Sequence, residues 1–264
     1  MYSGENHTFA ICAYKESKYL EECIQSVKNQ SVQSNIIIST STPNDYICGL
    51  AKKYGITLYI NEGKGGIAED WNYAYSKSKT KLVTLAHQDD IYEAEYTKEI
   101  IGCLNKSKHP LIAFSDYCEL RKEVIVRKNK LLMVKRILLS PLRCKALWKS
   151  IWVRRRILSF GSAICCPTVT MVKENLSNQI FYVGMKSNID WEAWEKISKE
   201  KGSFVYCCKP LIRHRIHAES TTTDIIKNGE RQLEDLEMFR KFWPGWFAVI
   251  WEKLYSHGEK SNGF

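Results

Sequence analysis

The stretch Leu82-Val83-Thr84-Leu85-Ala86-His87-Gln88-Asp89-Asp90-Ile91-Tyr92 decides how this chain is read. An apolar run of strand length stops at two adjacent carboxylates. Side chains on a strand alternate between its faces, so Asp89 and Asp90 can act together only where the strand ends. In an open α/β sheet, ligands bind outside the carboxyl ends of the strands. Hard oxygen donors at such a place suit Mg²⁺ or Mn²⁺ held together with substrate phosphates. Asp is also a common turn residue, and a solvated turn is the plainer alternative.

Upstream of this stretch, strands and helices alternate. Phe9–Ala13 is a compact apolar strand, and Leu20, Cys23, Ile24 and Val27 then recur at helical spacing from Lys18 to Gln30. Ser17 is placed as the N-cap of that helix, with Glu21 and Glu22 near the positive end of its dipole. Ile36-Ile37-Ile38 is a β-branched strand followed by the loop Ser39–Asp45. A helix through Cys48, Leu50, Ala51 and Tyr54 ends at Gly55, and Ile56–Ile60 is a third strand. Gly63-Lys64-Gly65-Gly66 opens a helix from about Ile67 to Lys77. These glycines match no dinucleotide or P-loop signature, and they read either as a flexible loop or as a close approach to phosphate. Alternation with short connections implies right-handed βαβ units and a mostly parallel sheet, Rossmann-like over the first 90 residues.

After Asp90 the pattern changes. The spacing predicts a helix over Glu93–Asn105, strands at Leu111–Phe114 and Phe204–Cys207, and a helix over Asn228–Trp243 through Leu233, Leu236 and Phe239. Phe242–Trp251 then carries three tryptophans between Lys241 and Lys253, either an interfacial anchor or a closing helix packed on the core.

Charge is concentrated in one segment. Arg121–Arg156 holds 13 Lys or Arg against one acid, Glu123, a local charge of +12 in a chain whose total is +10. The same segment is rich in Leu, Ile, Val and Trp, which fits an anionic membrane surface or a lipid-linked partner and argues against nucleic acid. A solvated basic face over a core helix is the alternative. With 44% hydrophobic and 26% charged residues the composition is that of a globular protein. Met1–Ala10 carries no signal-like pattern, and no run of about 18 apolar residues occurs. Ten cysteines without a CxxC are therefore expected to be reduced thiols in a cytoplasmic chain, with no zinc site.

Taken together, these residues resemble the family 2 glycosyltransferases of the GT-A fold, of the kind that assembles bacterial surface polysaccharide. The resemblance rests on Ala13-Tyr14-Lys15-Glu16 with Leu20, Cys23-Ile24, Ser26 and Gln30, on Asn72 in Ala68–Asn72, and on Ala86–Asp90 in the place of a DxD strand end. It continues in Asp190 of Ser187–Trp194 and in Arg215-x-His217-x-x-Ser220. The implied fold is a GT-A, Rossmann-like, mostly parallel mixed sheet flanked by helices. Residues 1–100 would form the nucleotide-sugar half and 101–227 the acceptor half, with 228–264 a helical extension.

The resemblance also implies roles. Ala13, Tyr14, Glu16, Thr40, Ser41, Asn72, Gln88, Asp90, Arg215 and Ser220 would bind the nucleotide-sugar donor, with Tyr14 stacking on the base. Asp89 and His217 would hold Mn²⁺ or Mg²⁺. Asp190 would be the catalytic base, with Glu192 as the fallback and an ordinary helix cap as the alternative. The acceptor would be lipid-linked or an oligosaccharide, and the chain would sit at the inner face of the cell membrane. Two departures stand out. His87 replaces the first aspartate of DxD, and an imidazole favours Mn²⁺ over Mg²⁺ if it reaches the metal at all. Ile38–Pro43 lacks the acid that usually reads uracil and ribose, which leaves the donor nucleotide open. A non-catalytic membrane-surface protein on a degenerate transferase scaffold is the rival these departures support. A sugar nucleotidyltransferase would need a Gly-rich basic signature after the first strand, where Tyr14-Lys15-Glu16 stands.

Overall fold

Strands β1 (His7–Ala13), β2 (Asn35–Thr40), β3 (Thr57–Ile60) and β4 (Leu82–His87) pair in parallel in the order β3-β2-β1-β4. They belong to a nine-stranded sheet in a computed structural model that describes residues 1–217 and 230–261. Helices α1 (Leu20–Lys28), α2 (Asp45–Tyr54) and α3 (Ile67–Lys77) make the crossovers. The apolar positions read from the sequence are the buried ones: Leu20, Cys23, Ile24 and Val27 of α1 are all at 0% exposure. Burying each such aliphatic side chain contributes about 1.5–3 kcal/mol. Gly55 closes α2 at φ 64°, where its N–H bonds the Ala51 and Lys52 carbonyls. Ser17 does not cap α1. The helix starts at Leu20 with Tyr19 at the N-cap position, and the Ser17 hydroxyl accepts from the Tyr19 amide instead, a local turn.

The second half reverses the pairing. β8 (Val169–Val172) lies antiparallel between β4 and β6 (Pro110–Arg121). β6 then runs parallel to β9 (Ser203–Ile216), with register shifts near Ser115 and Asp116. β7 (Val124–Val126) adds a hairpin on β6, and the two-residue β5 (Ile91–Tyr92) pairs antiparallel with β9. The longest registers are parallel, so the mixed sheet is mostly parallel as expected. Strands β6 and β9 are far longer than their apolar runs predicted. Their second halves carry polar residues that pair across the sheet, and Arg213–Ile216 is strand, paired with β6 and β5.

Helices α4 (Tyr96–Leu104), α5 (Lys130–Leu139), α6 (Ile151–Leu158) and α7 (Ile189–Ile197) cover this half. At the C-terminal end, α8 (Glu230–Arg240) and α9 (Gly245–Ser261) dock onto it. Met238, Phe239 and Ala248 are fully buried, whereas Leu233, expected on the inner face of α8, is 72% exposed and Asp235 takes the inner position. Of the three clustered tryptophans, Trp243 and Trp251 pack on the core and hydrogen-bond the Ser159 and Phe160 carbonyls. Trp246 faces outward. All ten cysteines are free, and no described helix is long and apolar enough to cross a membrane. Ser220 and the start of the helix expected from Asn228 lie outside the described residues.

Candidate active site

The Asp89–Asp90 turn sits where β4 stops, and β5 explains what it meets. Pairing of Ile91 with Arg213 and Tyr92 with Ile212 lays the turn against the end of β9. Asp90 is fully buried. Its Oδ1 accepts from the Arg215 amide at 2.9 Å and faces His214 Nδ1 at 2.9 Å. Asp89 Oδ2 lies 2.9 Å from His217 Nε2. Burial alone would push the Asp89 carboxyl up; the His217 hydrogen bond and the fields of His87, His214 and His217 reverse this and leave it below its ordinary value. Burial would likewise lower His214, but the charge and hydrogen bond of Asp90 prevail and hold it up at about 9. His214 is therefore a cation at neutral pH, paired to Asp90.

This turn can hold a divalent cation. His87, Asp89 and Asp90 each offer a ligand atom, all within 4.8 Å of one another. Asp90 Oδ2 is buried without a hydrogen-bond partner and faces His87 Nδ1 across 4.0 Å. A buried carboxylate oxygen left unpaired is costly unless a cation completes it. Two carboxylates and an imidazole make a set that suits Mn²⁺.

The Tyr14 end of β1 is fastened to the same place. Gln88 Oε1 accepts from the Tyr14 amide and its Nε2 donates to the Tyr14 carbonyl, both at 3.0 Å. The Gln88 amide is thus a clamp between two strand ends. Ala13 is buried, Tyr14 is 47% exposed with Lys15 Nζ 5.1 Å from its ring centroid, and Glu16 is exposed. Thr40 is buried and accepts from the Thr42 amide. Ser41 donates to Asp70 Oδ2 at 2.7 Å, while Asn61 Nδ2 donates to Asp70 Oδ1 at 2.8 Å. Asp70 was missed by the sequence reading. It places a carboxylate at the carboxyl ends of β1, β2 and β3, close to the spot where β2 lacks an acid of its own. The Asp70-Trp71 step in the first turns of α3 was the available signal.

Two expected ligand contacts are committed elsewhere. Asn72 donates to the Phe181 carbonyl at 2.7 Å and accepts from the Ile180 and Phe181 amides at 3.1 and 3.0 Å. It pins the loop before α7 against α3, and beside it Trp71 stacks on His87 with ring centroids 5.1 Å apart. Arg215 is 4% exposed and donates to the Asp89 carbonyl at 3.0 Å and to Glu123 at 2.6 Å, pairs with Glu22, and lies over the Tyr19 ring at 4.2 Å. Its fork locks the turn to α1 and to the β6–β7 hairpin and does not stand free in the cleft.

Asp190 lies in the first turn of α7, behind Asn188 at the N-cap position, and its Oδ1 accepts from the Trp191 amide at 2.7 Å. Burial raises the Asp190 carboxyl above its ordinary value, partly offset by the charge of Lys135, the Trp191 amide, Arg231 and His87. A run of ring contacts, His87 to Trp71, Trp71 to Phe181 and Phe181 to Trp194, links the turn to α7, the helix that carries Asp190. The N-terminus of α7 is held by α8: Glu234 accepts from the Lys186, Ser187 and Asn188 amides at 2.7–2.9 Å. Asp235 accepts from Asn188 Nδ2 at 2.7 Å. Glu192, the fallback base, lies 3.3 Å from Lys241 Nζ.

Residues 8–158, more than half of the chain, match the sequence profile of the family described as Glycosyl transferase family 2. The chain belongs to that family. It is a transferase by family, on the GT-A-like fold the sequence led us to expect. An uncharacterized glycosyltransferase of Haemophilus influenzae is 23% identical over 225 residues, 81% of this chain and 66% of the relative, so the chain spans just under two thirds of that relative's length. Among solved structures, residues 1–349 of S. aureus TarS with UDP-GlcNAc superpose at a TM-score of 0.62, with 14% identity over 92% of this chain and 69% of that one. Glucosyl-3-phosphoglycerate synthase of Mycobacterium tuberculosis, with Mn²⁺, UDP and glucosyl-3-phosphoglycerate, also gives 0.62, with 15% identity over 91% and 81%. At these identities the superpositions establish the fold.

Proposed function

We propose that this chain transfers a sugar from a nucleoside-diphosphate sugar to an acceptor hydroxyl, with inversion, by direct displacement. The observation that carries the reading is the cluster of His87, Asp89, Asp90 and His217 at the carboxyl edge of the sheet. Asp89 and His217 hold Mn²⁺ or Mg²⁺, with Asp90 and His87 next to them, and the metal when bound neutralises charge on the departing diphosphate. Asp190, raised toward neutrality by burial, removes the acceptor proton. Asp70, Ser41, Thr40 and Tyr14 line the nucleoside side. Glu16 and Ser220 belong to the donor side by resemblance. Arg215, Gln88 and Asn72 act chiefly by fixing the turn and the loop over it. The similar solved structures, one bound to UDP-GlcNAc and the other to UDP with Mn²⁺, support a uridine donor as the first to try.

The acceptor we infer is a lipid-linked or growing cell-surface saccharide, with the chain working at the cytoplasmic face of an anionic membrane. Exposed Met133, Val134 and Ile137 on α5, Trp152 on α6 and Trp246 and Ile250 on α9 support this, alongside the basic run. Each cation near an anionic leaflet contributes about 1 kcal/mol. The test is a panel of nucleotide-sugars with Mn²⁺, scored for donor hydrolysis and transfer. Donor turnover that disappears in Asp89→Ala is expected; no turnover with any donor, or an unaffected Asp89→Ala, would overturn the reading. Vesicle co-sedimentation checks the membrane part, which fails if anionic lipid makes no difference.

A further inference from the structure

Among the described residues no hydrogen bond holds the His87 ring, although it borders both carboxylates of the turn. Its Nδ1 lies 4.0 Å from Asp90 Oδ2, an oxygen that has no partner either, and its Nε2 is buried and unpaired. An imidazole that binds a metal ordinarily gives its other ring nitrogen to a carboxylate or a carbonyl, and that bond fixes the ring. Rotation about the bond to the ring is otherwise broad. Here an aromatic face stands in for the missing bond. Trp71 stacks on His87 with centroids 5.1 Å apart and planes 24° from parallel. Trp71 is itself braced: Phe181 meets it edge-on at 5.0 Å, and Phe181 in turn meets Trp194 of α7 at 6.2 Å. The Phe181 backbone is fixed, because Asn72 accepts from its amide at 3.0 Å and donates to its carbonyl at 2.7 Å. Stack and anchor thus come from two adjacent residues of α3.

We propose that Trp71 is a positioning residue for the divalent cation: by stacking, it holds the His87 imidazole in the plane in which Nδ1 faces Asp90. This rests on the reading of the turn as the metal site of a transferase, and it adds what sets the choice of metal there. A stacked ring is held by its face, and its edge, which carries the nitrogens, stays free to meet a cation. An imidazole held in this way favours Mn²⁺. Mg²⁺ takes oxygen donors, keeps several waters and depends little on a nitrogen. Loosening the ring therefore costs Mn²⁺ more than Mg²⁺. Trp71 touches no reacting atom in this account and acts through His87.

The experiment measures Mn²⁺ binding to the full chain from the electron paramagnetic resonance of free Mn²⁺, and Mg²⁺ binding by competition. Trp71→Leu is expected to weaken Mn²⁺ binding about tenfold, as loss of a group that orients a metal ligand does, and Mg²⁺ binding by no more than about threefold. Trp71→Phe, which keeps a stacking face, should regain most of the Mn²⁺ affinity. His87→Asp supplies two oxygens, one of which can face the cation without a stacked ring. In that protein Trp71→Leu should leave Mn²⁺ binding within about twofold, since the pair no longer couples. Trp71→Met takes the place of Trp71→Leu if the leucine protein does not fold. Equal losses of Mn²⁺ and Mg²⁺, or the same loss with and without His87, would mean that Trp71 only packs the site, and would overturn this inference alone. Mn²⁺ binding that is absent from the wild type, or unchanged by Asp89→Asn, overturns the metal reading and this inference with it.

Discussion

The parallel half of the sheet and the half beyond β4 obey different rules. In β1–β4 with α1–α3, most apolar residues face in, the buried polar His7 and Thr84 satisfy each other, and the ends of β1, β2 and β4 bring side chains to the carboxyl edge of the sheet. Beyond β4, α5 shows apolar residues to solvent, β9 stays paired through its polar end, and a carboxylate of α8 holds the helix that carries Asp190. The first half is a scaffold optimised by burial. The second is a surface in which packing has yielded to what it must meet.

That contrast can be broken by mutation. The largest effect is expected at Asp190→Asn, which should cut transfer about 10²–10⁴-fold while leaving Mn²⁺–nucleotide binding intact. Steady-state kinetics beside a nucleotide titration checks both. The pH profile adds a sign. Asp190 must be ionised to act, so kcat/KM should fall as pH drops through a carboxyl raised by burial, placing the acid limb above the usual carboxylate range. Because Lys135 opposes that rise, Lys135→Met should move the limb to higher pH.

Leu85→Ala, in a fully packed strand, should cost about 2–5 kcal/mol in denaturant unfolding. Glu234→Ala should cost about 1–3 kcal/mol, because three amides at the start of α7 lose their acceptor. Burial would raise the Glu234 carboxyl, but these bonds and the Ser187 hydroxyl lower it below its ordinary value. Its contribution is therefore complete above the unfolded carboxyl's pKa and is lost as pH falls through the lower folded value. The smallest change belongs to Ile137→Ser, which should alter stability by no more than about 0.5 kcal/mol. If Ile137→Ser proved as costly as Leu85→Ala, α5 would not be inverted.

The same contrast explains what could be read in advance. The three crossover helices and β1–β4 were legible because local apolar period fixes burial there. The Asp89–Asp90 turn was legible as the end of β4, since two carboxylates stop its apolar run, but the burial of Asp90 was not. The length of β9 was not, because Arg213–Ile216 is polar and becomes strand only through pairing with β6 and β5. Arg215 looked like a free phosphate fork, yet Glu22 and Glu123, remote in sequence, take its donors. Asp70 went unnoticed because only the fold brings it beside Ser41 and Asn61. Glu234 was invisible for the same reason.

The most direct test is calorimetric titration of a nucleoside diphosphate, UDP first among a panel, into wild type and Asp89→Asn with and without Mn²⁺. Binding that requires Mn²⁺ in the wild type and disappears in Asp89→Asn is expected. Binding that ignores the metal and survives the substitution would contradict a metal–diphosphate site at the end of β4.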